Sequence, residues 1–207
     1  MQRHVLVTGG AGYVGSVLVP ALLDEGHRVT VLDSLMFGES PLAAVLNHPR
    51  LRVMAGDLTR LSELDGLFDG VDQIVHLVGL SNDPSCDLRP EQTQRVNYDA
   101  TLELARRAAR AGVRRFVFAS SCSVYGASPS PIVDETSPTY PVSIYAQKKL
   151  DAEQALFSMP TRRMEVTALR LATLYGLSPR MRFDLAINLM TMHAVIRHEI
   201  QVLGGGS

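Results

Sequence analysis

Two rhythms of apolar residues alternate along this chain. Short unbroken apolar runs, many of them β-branched, suit strands buried on both faces of a parallel sheet. Between them, apolar residues recur at three- and four-residue spacing, as on one side of a helix. The runs predict strands at 4–8, 28–33, 51–54, 72–77, 114–119 and 165–171, and helices at 13–25, 61–68, 88–111, 143–158 and 183–197. Val17, Leu18, Ala21 and Leu22 mark the apolar side of the first helix, and Gly26 and Gly112 stand where C-terminal caps belong. Alternation of strand and helix along most of the chain, without internal repeats, predicts an α/β fold: a doubly wound parallel sheet with helices on both faces.

The first strand breaks directly into Thr8-Gly9-Gly10-Ala11-Gly12-Tyr13-Val14-Gly15. Gly10, Gly12 and Gly15 fit G-x-G-x-x-G, and Gly9, Gly12 and Gly15 fit G-x-x-G-x-x-G. Glycines there permit the tight turn, let backbone approach a pyrophosphate, and let helix and strand pack closely, while the helix N-terminus faces the phosphates. The second strand ends in Asp33, eighteen residues past Gly15, where an acidic residue hydrogen-bonds the adenosine ribose. An aspartate repels a 2′-phosphate, and no Lys or Arg lies between Ser34 and Ser40, so the reading is NAD rather than NADP. The strand, turn, helix, strand and aspartate together predict a Rossmann-type domain.

Composition narrows the field. The 207 residues amount to one domain, or one domain and part of another. Forty-six per cent hydrophobic against 20% charged residues supports a sizeable core. Twenty basic and 21 acidic residues give no polyelectrolyte character, so nucleic acid is not an expected partner. No run of apolar residues is long enough to span a membrane, and the first apolar run is too short for a signal peptide. Cys86 and Cys122 are too few for a disulfide framework or a zinc site; as inert thiols they fit a cytoplasmic location, and no metal is expected.

Polar residues gather at the predicted carboxyl edge of the sheet, where such folds bind ligands. Asp57, in Gly56-Asp57-Leu58, is placed either to accept from an adenine amino group or to cap the next helix. His76-Leu77-Val78-Gly79 ends the fourth strand, and Gly79 would let backbone lie close to a cofactor. Asn97 falls inside a helix, where a buried structural hydrogen bond is the commoner role. Ser120-Ser121-Cys122-Ser123 follows the fifth strand, and a Pro- and Ser-rich loop (128–141) leads into Tyr145-Ala146-Gln147-Lys148-Lys149. A four-residue spacing stacks Tyr145 and Lys149 on one helix face. An ammonium there, with a positive nicotinamide, would pull the phenol down from about 10 and make Tyr145 a base near neutral pH.

These pieces resemble the extended short-chain dehydrogenase/reductase family, the NAD-dependent nucleotide-sugar epimerases and dehydratases. The resemblance rests on TGGAGYVG at 8–15, Asp33, GDL at 56–58, HLVG at 76–79, VNYDAT at 96–101, SSCSVYG at 120–126, YAQKK at 145–149 and LRLATLYG at 169–176, in the family's order. It implies that Gly9, Gly12, Tyr13, Val14, Gly15, Asp33, Asp57, Leu58, Leu77, Gly79 and Asn97 hold NAD, together with Tyr145 and Lys149. It implies Tyr145 as base, Lys149 as the lysine that holds the ribose and lowers the base's pKa, and Ser121 as the hydroxyl that steadies the substrate oxygen. Ser121, Ser123, Tyr145 and Asn188 would touch a nucleotide-diphosphate sugar, Asn188 through its diphosphate, as in the Asn-Leu-Met of sugar 4-epimerases.

Three departures shape the expectation. Cys122 and Ser123 stand where family 4,6-dehydratases carry an Asp-Glu pair, which disfavours dehydration. Thr173 replaces the Asn of many 4-epimerases and leaves the sugar open. The chain ends at Leu203-Gly204-Gly205-Gly206-Ser207, whereas the family continues for a further domain half of roughly 100 residues. The expected division is an NAD-binding domain over 1–175 and the beginning of a truncated substrate-binding region over 176–207. The expected function is an epimerase that oxidises a sugar hydroxyl, at C4, and reduces it again. A 4-ketoreductase or dehydrogenase, and a catalytically incomplete NAD-binding fragment acting with a partner, are the alternatives. The resemblance also makes helices 88–111 and 143–158 the candidates for a homodimer bundle; the alternative is that their apolar faces pack only on the sheet.

Overall fold

A computed structural model describes residues 2–81, 83–160, 163–200 and 202. The expected glycine-rich tail, 203–207, lies outside the described residues. Six parallel strands form one sheet: β1 (His4–Thr8), β2 (Arg28–Asp33), β3 (Leu51–Ala55), β4 (Gln73–His76), β5 (Arg115–Ser121) and β6 (Glu165–Leu171). Their order is β3-β2-β1-β4-β5-β6, so the chain reverses its direction of winding between β1 and β4. At that reversal the connections leave the strands' carboxyl ends in opposite directions and open a crevice.

Alternate side chains serve opposite faces of the sheet. Val5, Val7, Val29 and Val31 pack under α1 (Gly15–Asp24). Leu6, Leu32, Ile74, Phe116 and Phe118 face the other way, toward the helices that follow β4 and β5. The sheet is therefore doubly wound, as the apolar runs predict.

The helices depart from the sequence pattern in informative places. The buried residues of α1 are Gly15, Ser16, Val19 and Leu23, not the expected Val17 stripe, and Val17 is half exposed. Close packing of Gly15 on the glycine turn sets this rotation: a Cβ there would come within 2.5 Å of Gly10 Cα. The predicted helix 61–68 is replaced by a 3-10 segment, Leu58–Glu63, interrupted by non-helical Arg60. The predicted helix 88–111 starts at Pro90 because proline excludes helical backbone at the preceding Arg89 (φ −138°). A separate short helix, α2 (Asp83–Leu88), precedes it. From Pro90 the helix runs on as α3 (Pro90–Thr93), a π turn (Gln94–Asp99) and α4 (Ala100–Ala111), and Gly112 closes it at φ +85°. Helix α5 (Ile144–Ser158) packs beside α4, and α6 (Ala186–Arg197) buries only Asn188.

A partly buried ion pair ties the second half of the sheet together. Arg170 on β6 donates twice to Glu153 of α5, at 2.8 Å from Nη2 and 3.1 Å from Nε to Oε2, and once to Tyr125 Oη at 3.0 Å. Hydrogen bonding to Glu153 raises the Arg170 pKa further, so the guanidinium stays charged.

Candidate active site

A cleft of about 1360 Å³ opens at the carboxyl ends of the strands. Its floor is the glycine turn. Gly9 takes φ +76°, a conformation that favours glycine, and its N–H donates to Leu32 O of the neighbouring strand at 2.8 Å. Gly12 N–H returns to Gly9 O at 3.1 Å and tightens the turn. No side chain caps α1; the Ser16, Val17 and Leu18 amides bond back to Gly12 O and Val14 O, and Gly12–Gly15 line the cleft at the helix N-terminus. That glycine turn at a helix N-terminus fits the diphosphate of a dinucleotide. Asp33 lies beside it, and its carboxylate also braces the turn, accepting from Ala11 N at 3.0 Å and Leu35 N at 2.9 Å. Asp57 caps the 3-10 segment through Thr59 N at 2.8 Å while lining the cleft, so the capping role is the one its contacts show.

The other end of the cleft holds Ser121, Tyr145 and Lys149. Strand β5 runs two residues further than the apolar run suggests, and so carries Ser121 to the lip of the sheet. Ser121 Oγ accepts from Ser123 Oγ at 2.8 Å and from Ser123 N at 3.2 Å, which leaves its own O–H to donate. Ser143 starts α5 by accepting from Ala146 N at 3.1 Å, and this cap sets Tyr145 on the helix's first turn. One turn on, Lys149 is buried; its Nζ donates to Ala119 O at 2.7 Å and lies 4.7 Å from the Phe118 ring centroid and 5.9 Å from that of Tyr145. Burial pulls its pKa down to about 8, while Cys86 and Glu153 act in the other direction. At neutral pH the group is still an ammonium, held beside a phenol.

Not every expected contact residue reaches the cleft. Gly9, Gly12, Tyr13, Val14, Gly15, Asp33, Asp57, Leu58, Leu77, Gly79 and Ser123 line it with the three central residues, whereas Asn97 and Asn188 do not. Asn97 is fully buried, and its side chain bonds both Leu80 N (2.8 Å) and Leu80 O (2.9 Å), which clamps the loop after β4. Asn188 accepts from Gly176 N at 3.0 Å and donates to Tyr13 Oη at 3.1 Å and Arg182 O at 3.0 Å. It therefore anchors the segment 176–185 across the cleft mouth. The segment's other contacts escape the pattern of the chain. Arg180 lies over the Phe37 ring at 3.8 Å, Arg182 donates to Ser81 Oγ at 2.8 Å, and Ser178 Oγ donates to Tyr13 O at 2.7 Å. Only the run Arg180-Met181-Arg182 hinted at such a role, since paired arginines in an apolar stretch need partners. Cys122 is exposed and lines the cleft beside Ser121.

Comparison with known proteins agrees with this geometry. Over 157 residues the chain is 36% identical to a UDP-glucose 4-epimerase of Azospirillum brasilense, covering 74% of this chain and 43% of that one. It is 35% identical over 185 residues to a dTDP-glucose 4,6-dehydratase of Streptomyces griseus, covering 85% and 56% respectively. The solved UDP-N-acetylglucosamine 4-epimerase of Methanobrevibacter ruminantium M1, in complex with UDP-N-acetylmuramic acid, superposes with a TM-score of 0.85 at 29% identity. That match covers 96% of this chain and 64% of the other. The chain thus spans about half the length of the curated relatives it matches. The sequence model of the NAD-dependent epimerase/dehydratase family matches from residue 5 to residue 207, and the chain belongs to that family.

Proposed function

We propose that this chain carries the cofactor site and the catalytic residues of a nucleotide-sugar epimerase that acts on a sugar hydroxyl, at C4. The observation that carries the reading is the meeting of Ser121, Tyr145 and Lys149 in the cleft that also holds the uncapped glycine turn, with Cys122 and Ser123 beside them instead of carboxylates. An elimination would need an acid and a base placed there; a reversible oxidation needs only one base and one hydrogen-bond donor. NAD, the family's cofactor, supplies the hydride acceptor when bound, with Gly9, Gly12, Gly15 and Asp33 as the residues to hold it.

The chain's own residues divide the remaining work. The positive charge of Lys149 favours the ionised form of the phenol beside it, so Tyr145 takes the hydroxyl proton and later returns it. Ser121 donates its free O–H to the same substrate oxygen and fixes its position. We further propose that residues 1–175 form the cofactor domain and that 176–207 begin the substrate-binding region, with a nucleotide-diphosphate sugar as the ligand.

A nucleotide-sugar panel with the purified chain, run beside NAD calorimetry, tests the reading. Turnover without net absorbance change of the nicotinamide supports an epimerase. A stoichiometric change identifies a reductase or dehydrogenase, and tight NAD binding without turnover identifies a fragment completed by a partner. On an active substrate, Tyr145→Phe loses activity by about 10²-fold or more; unchanged turnover would overturn the assignment of the base.

A further inference from the structure

Behind the cleft lies a polar chain that the proposed chemistry does not use. His76, at the end of β4, is completely buried between two hydroxyls. Thr8 Oγ1, at the end of β1, is 2.6 Å from its Nδ1, and Thr101 Oγ1, on α4, is 2.9 Å from its Nε2. All three residues have no exposed surface. Thr101 spends its single hydroxyl hydrogen on Asn97 O, at 3.1 Å. Its oxygen can therefore only accept from the ring, so Nε2 must carry the imidazole proton. A neutral ring then has a bare Nδ1, and Thr8 must donate to it. The hydrogen bonds run one way, from Thr8 through His76 and Thr101 to the carbonyl of Asn97.

The chain ends at a place where backbone is unusual. Asn97 lies in the π turn Gln94–Asp99, and such turns recur at functional sites. Its side chain grips both backbone groups of Leu80. Next to Leu80, a Cβ on Gly79 would stand 3.3 Å from both Asn97 Oδ1 and Lys149 Nζ, so the clamp, the glycine and the lysine are packed in mutual contact. The His76 ring stacks on Phe118 (5.9 Å between centroids, 23° between planes), the ring against which Lys149 also rests.

We propose that His76 is a positioning residue: as the neutral Nε2–H imidazole it joins the end of β1, at the glycine turn, to the π turn, and so holds Asn97, the Gly79–Leu80 backbone and Lys149 in register along the cleft wall. A second proton would require both nitrogens to donate and would set a positive ring near the Lys149 ammonium. Burial, and secondarily that lysine's charge, hold the imidazole pKa down to about 3. Lys149 is the charged group acting on the ring; the other elements packed on it present Thr8, Thr101, Phe116 and Phe118. The arrangement is independent of which sugar, if any, the chain turns over.

Long-range ¹H–¹⁵N correlation spectra of the full chain labelled with ¹⁵N-histidine read the tautomer directly, with His76 assigned by the signals lost in His76→Gln. The expected result is the neutral Nε2–H form, unchanged between pH 5 and 8. An Nδ1–H form, or titration within that range, overturns the proposal and needs no variant to fold. Calorimetry with NAD supplies the second reading: Thr101→Val weakens binding at least tenfold, while Thr101→Ser, which keeps the hydroxyl, stays within threefold of wild type. Equal affinities for wild type and a folded Thr101→Val overturn it as well.

Discussion

Two ionisable side chains are buried against Phe118, and they are held in opposite charge states: Lys149 as an ammonium, His76 as a neutral ring. Each costs stability in its own pH range. For His76 the folded pKa, about 3, lies below the ordinary 6.5. Between those values the unfolded chain takes up a proton that the folded chain refuses, so stability is full above 6.5 and falls as the pH drops. The loss is about 1.4 kcal/mol per pH unit over that window. Urea midpoints measured from pH 7 to pH 4 should therefore fall more steeply for wild type than for His76→Gln; parallel slopes would mean that the ring already titrates in the native state. None of this was legible in the sequence. His76 stands in a family-like run, but a histidine at a strand end reads the same whether exposed or buried, and Thr8 and Thr101 lie 68 and 25 residues away.

At the scale of elements, α5 shows how a local signal positions chemistry. Ser143 has extended backbone, and its hydroxyl accepts from Ala146 N, which stops the Pro-rich loop and starts the helix one residue before Tyr145. Ser143→Ala should lower stability by about 1 kcal/mol. It should also reduce turnover by disordering the first turn, and Ser143→Asp should restore both. A Ser143→Ala protein with wild-type denaturation and kinetics would show that packing alone fixes the turn. Here the chain was readable, since caps, prolines and four-residue spacing act over a few residues. The same local grammar failed over 88–111. Periodicity there indicated one helix, but Pro90 breaks it at Arg89, and Asn97 in the π turn bonds Leu80, a partner that periodicity does not register. The rotation of α1 failed for a related reason: apolar spacing marked Val17, but contact between Gly15 and the glycine turn turned Val19 and Leu23 inward.

For the molecule as a whole, the decisive contacts join the ends of the chain. Tyr13, beside the glycine turn, donates to Gly176 O at 2.7 Å and accepts from Asn188, 175 residues later. Residues 176–185 thereby cross the mouth of the cleft, reaching Phe37 and Ser81 on the way. Residues 180–185 of this strap line the same cleft as the glycine turn. Asn188→Ala removes the bonds to Gly176, Tyr13 and Arg182 together. It should speed amide exchange at Gly176 at least tenfold and quicken NAD dissociation while leaving β1–β5 protected. Exchange unchanged at Gly176 would show that the strap is held elsewhere. This assigns Asn188 a bracing role in the described structure, where the sequence motif suggested a diphosphate ligand.

The sequence by itself determined the sheet, the glycine turn and the shared helix face of Tyr145 and Lys149. Unbroken apolar runs alternating with helical patterns suit a parallel sheet covered on both faces, a glycine-rich turn after the first of them is sterically suited to a diphosphate, and Tyr145 and Lys149 share a helix face by spacing alone. What only the tertiary structure decided is what those residues touch: the neutral ring behind Lys149, the clamp of Asn97 and the strap pinned by Asn188. Those contacts join side chains from 17 to 175 residues apart, and a hydrogen bond across such a separation leaves no periodicity in the chain.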